Sequence, residues 1–128
     1  MTDTERPRVL VVDDSKDGAD SLSVVLQMMG ALTRVAYDGA SALELIGTFH
    51  PTVVLLDIGM PDMDGHTVAR QIRADAANAS IRLIALTGWG TEAERRRSVE
   101  AGFDEHWVKP VEPATLKALV AGTAGNPR

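Results

Sequence analysis

With 128 residues, 45% of them hydrophobic and 24% charged, the chain has the size and composition of one domain built round one core. No apolar run approaches the ~18 residues of a membrane span, and residues 1–8 carry charge but no apolar signal core. There is no cysteine for a disulfide framework, so a cytoplasmic, membrane-free location is expected. The formal net charge of −5 argues against nucleic acid as a direct partner, and the one basic cluster, Arg95-Arg96-Arg97, is too short to reverse that.

Short β-branched apolar runs recur along the chain: Val9 to Val12, Leu32 to Val35, Val53 to Leu56, Leu83 to Leu86, and a last one around Trp107-Val108. Helix-period segments separate them. Ala19, Leu22, Leu26 and Met29 form one apolar face, stopped at Gly30. Ala42, Leu45, Ile46 and Phe49 form a second, and Val68, Ala69 and Ile72 a third. Leu116, Leu119 and Val120 form a fifth, with Pro113 suited to its first turn. The fourth segment, Thr91 to Ala101, is mostly Glu and Arg, with Ala93, Val99 and Ala101 as apolar anchors and a Thr91–Glu94 capping box. Weak docking is expected of it, which makes it a candidate movable element.

Continuous apolar strands alternating with helices imply a parallel sheet covered on both faces, an open, doubly wound α/β fold. Residues 1–7 read as an N-terminal arm, 8–121 as the domain, and the Gly-rich residues 122–128 as a disordered tail. There is no sign of a second domain.

In such sheets the ligand site lies beyond the carboxyl ends of the strands. Here strand one ends in Asp13-Asp14, strand three in Asp57, strand four in Thr87 and strand five in Lys109-Pro110. A single Asp in such a place is often only a helix N-cap; the alignment of five groups along one edge is what carries weight. Three carboxylates brought together call for a hard cation, and Mg²⁺ suits phosphate chemistry because it accepts few protein ligands. Phosphoryl transfer needs a nucleophile, which Asp57 can be, with positive charge from Lys109 and the metal and a hydroxyl from Thr87.

These residues resemble the receiver domain of bacterial response regulators over Arg8 to Ala121. The signatures follow in order: Val-Leu-Val-Val-Asp-Asp at 9–14, Leu-Leu-Asp-Ile-Gly-Met-Pro-Asp-Met-Asp-Gly at 55–65, Ala-Leu-Thr-Gly at 85–88 and Val-Lys-Pro at 108–110. The resemblance implies a flavodoxin-like sheet of order 2-1-3-4-5 and a cis bond before Pro110. It also implies Asp57 as phosphoacceptor, Mg²⁺ on Asp14, Asp57 and the Gly59 carbonyl, Asp13 acting through a water, and Thr87 and Lys109 on the phosphoryl oxygens. Thr87-Gly-Trp-Gly-Thr, Arg95-Arg-Arg and the run 101–111 are similar to receivers at the C-termini of hybrid histidine kinases, so the chain is free-standing or excised from one.

One position departs from the family pattern. His106 stands where the switch position usually holds Tyr or Phe, and is either an inward-packing member of a Thr87/His106 switch or a solvated strand-edge residue. Gly59 and Trp89 occupy the positions that tune hydrolysis; Trp89 is either a shield over the site or an exposed contact. Gly88-Trp-Gly90-Thr-Glu-Ala93 imitates a dinucleotide fingerprint, but it follows the fourth strand and lacks the ribose-binding acid, so no NAD site is expected. His50 and His66 have no metal-ligand spacing and read as solvated.

The function expected is a phosphorylation switch and not an enzyme acting on external substrate. A histidine kinase or histidine phosphotransferase would be the donor, an effector would read the surface of helix four, strand five and helix five, and the chain would be a monomer or weak dimer. Two rivals stand beside this reading. One is a degenerate interaction module, which the intact Asp13, Asp14, Asp57, Thr87 and Lys109 oppose. The other is a Mg²⁺-dependent phosphohydrolase, whose Asp-x-Asp pattern fails at Gly59.

Overall fold

The computed structural model describes residues 6–59, 64–88 and 90–121. The elements alternate: β1 (Arg8–Val12), α1 (Lys16–Met28), β2 (Leu32–Ala36), α2 (Gly39–Phe49), β3 (Val53–Asp57), α3 (Gly65–Ala74), a 3₁₀ turn (Ala76–Asn78), β4 (Arg82–Thr87), α4 (Glu92–Ala101), β5 (Glu105–Val108) and α5 (Pro113–Val120). All pairings are parallel, in the order β2-β1-β3-β4-β5. The doubly wound architecture expected from the alternation is observed, with the flavodoxin-like strand order that the resemblance implies. Among the described residues no helix is long and apolar enough to cross a membrane.

The side-chain period of two divides each strand between two cores. Leu10, Val12, Val54, Leu56, Leu83 and Ala85 face Ala42 and Ile46 of α2 and Val68, Ala69 and Ile72 of α3. Val9, Val11, Val53, Leu55, Ile84 and Leu86 face Ala19 and Leu26 of α1 and Leu116, Leu119 and Val120 of α5. Every strand that reads as an unbroken apolar run is buried because it is apolar on both sides.

Local chemistry sets the helix ends. Ser15, Asp38, Asp64 and Thr91 each accept a backbone N–H of the first turn, satisfying donors the helix leaves unpaired. Gly30 and Gly102 follow α1 and α4 at φ 109° and 106°, a region a side chain resists.

The structure corrects two expectations. Of the three anchors assigned to the fourth helix, only Ala101 is buried; Val99 is 70% exposed and Ala93 is also outside. The turn geometry of α4 instead directs Ser98 inward, at 1% exposure. His66 is not solvated but 3% exposed, because the start of α3 lies over Phe103, whose ring meets the imidazole edge-on at 6.2 Å.

Candidate functional site

The chain runs from β1 outward to β2 and then returns across β1 to β3, so strand order reverses between β1 and β3. Loops on either side of such a reversal diverge and leave a crevice. Asp13, just past β1, continues the ladder by donating its amide to the Ala36 carbonyl at 3.1 Å. Its Oδ1 accepts the Ser15 amide at 3.0 Å. Asp57 closes β3; its Oδ1 accepts the Gly59 amide at 2.8 Å, and the next amide, of Ile58, donates to the Leu86 carbonyl at 3.1 Å. Backbone amides of the loops that follow β1 and β3 therefore hold both carboxylates.

Lys109 reaches this crevice from beyond β5. Its Nζ donates to Asp57 Oδ2 at 3.1 Å and lies 3.7 Å from Asp13 Oδ2. Its own amide donates to the Thr87 carbonyl at 2.8 Å, and the following bond to Pro110 is cis, as the family pattern implies. Thr87 ends β4 in register with Val108 and is buried. One carboxylate oxygen from each of Asp13, Asp14 and Asp57 can be chosen so that all lie within 4.8 Å of one another, Asp14 being the exposed member.

Burial pushes the Asp13 carboxyl above its usual range, and the neighbouring Asp57 adds to this; the Ser15 amide and Lys109 pull the other way. With all three carboxylates ionised, the single ammonium leaves an excess of two negative charges. A divalent hard cation cancels that excess, and the donor set, all oxygen and partly open to solvent, fits one.

The predicted site residues Asp13, Asp14, Asp57 and Lys109 are thus brought together, with Gly59 bonded to Asp57 and Thr87 at the end of the adjoining strand. His106 lies elsewhere. It is half-buried and its Nδ1 is 2.9 Å from the Ser98 hydroxyl, so the reading of it as a solvated edge residue does not hold. Trp89 lies outside the described residues. Gly90 has a packing reason: a Cβ there would come 2.9 Å from Val108 Cγ2. Sequence reasoning passed over Ser15 and Ser98. Ser15 was legible as a cap two residues past Asp13, whereas Ser98, a serine among Glu and Arg, gave no sign of facing inward.

The fold and the crevice define a doubly wound α/β module with a carboxylate-rich, lysine-bearing site at its switch point. The family model described as the response regulator receiver domain matches residues 9–121, and the chain belongs to that family, a signalling switch of two-component systems. It is 37% identical over 118 residues to the DNA-binding response regulator MtrA of Mycolicibacterium smegmatis, covering 92% of this chain and 50% of that protein. An uncharacterised 14.6 kDa protein of Leptolyngbya boryana is 35% identical over 112 residues, with 88% and 86% of the two chains covered. Chemotaxis protein CheY4 of Vibrio cholerae superposes with a TM-score of 0.84 at 27% identity, over 91% of this chain and 97% of that one. The chain spans about half the length of MtrA and of the other transcriptional regulators that it matches.

Proposed function

We propose that Asp57 accepts a phosphoryl group from a phosphohistidine on a histidine kinase or phosphotransferase. A carboxylate oxygen of Asp57 forms the new P–O bond as the P–N bond breaks and its electron pair returns to the donor imidazole. Lys109 holds the Asp57 carboxylate in place before transfer and neutralises charge on the phosphoryl oxygens after it; the Thr87 hydroxyl donates to one of those oxygens. Asp14, Asp57 and the Gly59 carbonyl, with Asp13 acting through a water, would hold Mg²⁺, which would supply further positive charge. The observation that carries this reading is the Lys109 ammonium, 3.1 Å from Asp57 and 3.7 Å from Asp13, in a cluster one divalent cation short of neutrality.

The unit proposed is residues 8–121, acting in the cytoplasm, free-standing or as part of a hybrid kinase. Phosphorylation shifts the α4, β5 and α5 surface, with Thr87 and His106 as the switch pair, and a protein effector reads that surface without direct contact to nucleic acid. No turnover of external esters is proposed, since Gly59 stands where an aspartyl-phosphate hydrolase needs its acid. The test is intact mass after incubation with acetyl phosphate and Mg²⁺. One added phosphoryl group is expected in the wild type and none in Asp57→Asn or without metal; an unmodified wild type, sampled at short times, would leave a binding module.

A further inference from the structure

We infer that Ser98 is a positioning residue that latches the switch histidine in the unphosphorylated state, an inference that rests on the phosphoacceptor reading above. The residues that α4 buries are Ser98 and Ala101; the rest of its length carries exposed charge and the bare side chain of Val99. Its C-terminal end is tied independently. Arg73 of α3 donates from Nε to the Gly102 carbonyl at 2.9 Å and from a terminal nitrogen to Asp104 at 2.8 Å, while Asp104 accepts the Leu83 amide at 2.9 Å. One turn back from that tie, the bond between Ser98 Oγ and His106 Nδ1 at 2.9 Å joins the body of the helix to β5.

This arrangement gives the helix one fixed end and one releasable contact. His106 pairs in register with Ala85, two residues before Thr87, on the strand whose end meets the phosphorylation site. Beside it, Arg95, Ser98, Val99, Phe103 and His106 line a groove of about 440 Å³ between α4 and β5, so the ring has room to turn and break the bond. A Tyr or Phe at position 106 could not accept or donate through a ring nitrogen. Here the latch is a hydrogen bond made through a ring nitrogen, a group that the usual Tyr or Phe lacks. Turning His106 away from α4 breaks that bond, after which α4 pivots about the end that Arg73 holds. The bond therefore belongs to the resting state and opposes the shift that phosphorylation drives.

Ser98→Ala tests this without harm to the helix, since Ala is the better helix former. Amide hydrogen exchange along α4 in the free protein should quicken by roughly fivefold, the equilibrium effect of one net hydrogen bond. Beryllofluoride with Mg²⁺, titrated by tryptophan fluorescence with Asp57→Asn as the blank, should bind tighter by the same factor, because only the unbound state loses stabilisation. Ser98→Thr, which keeps the hydroxyl, should restore wild-type values, and in a His106→Phe background Ser98→Ala should change neither readout. Unaltered exchange in Ser98→Ala overturns the latch. So does faster exchange with equal or weaker beryllofluoride affinity, which would make the bond merely structural. A wild type that binds no beryllofluoride sinks the phosphoacceptor reading itself, and the latch with it, whereas wild-type binding with no effect of Ser98 sinks the latch alone.

Discussion

The centre of the sheet and its β5 edge are held in different ways. Around β1 and β3 the strand interiors are almost wholly excluded from water, and helices α2 and α3 cover one side with aliphatic side chains at or near zero exposure. Around β5 every residue is half-buried or exposed, and the covering helix α4 rests on a serine, an alanine and the hydrogen bonds of Arg73. Hydrophobic area is non-directional and tolerates no partial separation, whereas a few hydrogen bonds can be exchanged for others at small net cost. The carboxylates are thus seated at the apolar, firmly packed centre, and the surface proposed for signalling lies at the edge held by fewer and more polar contacts.

That contrast predicts the largest difference between two aliphatic deletions. Ile72→Ala in α3 removes a side chain with no exposed surface and should cost about 2–5 kcal/mol. Val99→Ala in α4, which trims a side chain 70% exposed, should stay within about 0.5 kcal/mol. Urea denaturation of both variants measures this directly. A Val99→Ala loss comparable to that of Ile72→Ala would mean that α4 is packed in solution against something these contacts do not show.

The strands, the helix order and the aligned carboxylates were legible because each depends on a pattern the chain repeats: period two in the sheet, three and four in the helices, and a polar residue at each strand end. Each strand except β5 also proved to be bounded within a residue of its apolar run. Ser98 and His66 were not legible for the opposite reason. A serine among Glu and Arg reads as solvated, and only the rotation at which α4 meets β5 turns it inward. Val99 failed as an anchor for the same cause, being the adjacent position on the same turn. His66 sits where an aliphatic residue would continue the face of Val68, Ala69 and Ile72, yet its chemistry suggested water.

His66 also gives a way to sharpen the comparison, because it is a polar defect inside the firmly packed part of the molecule. Its Nδ1 lies 3.2 Å from Asp64 Oδ1, but Nε2 is buried and has no hydrogen-bond partner among the described residues. An unmade buried hydrogen bond costs about 1–3 kcal/mol. His66→Leu removes that group, and the Asp64 side chain, about half exposed, can take water in place of the lost imidazole while still capping the residue 66 amide. The variant should be more stable by about 1 kcal/mol, seen as a higher urea midpoint at unchanged slope. A lower midpoint would show that the imidazole contributes more through Asp64 and Phe103 than its stranded nitrogen costs.

The smallest effect expected concerns the caps, where α2 and α4 differ in whether the capping residue titrates. Helix α2 is capped by Asp38, whose carboxyl the Ser41 amide, and then the Ser41 hydroxyl, hold below the usual range; α4 is capped by the uncharged Thr91. A carboxyl with a folded pKa below its unfolded value of about 3.9 contributes stability that is present above that value and is lost as pH falls through the folded one. Asp38→Asn keeps an acceptor oxygen for the Ser41 amide, as Asn and Asp cap comparably, but removes the proton. At neutral pH the variant should therefore lie close to wild type, with a shallower loss of stability below about pH 4. Thr91→Asn, made as the counterpart on α4, should leave the acid limb as steep as in wild type. Acid limbs of equal steepness in all three proteins would mean that acid unfolding begins elsewhere, and that the α2 end of the sheet owes its firmness to its apolar face and nothing to its charged cap.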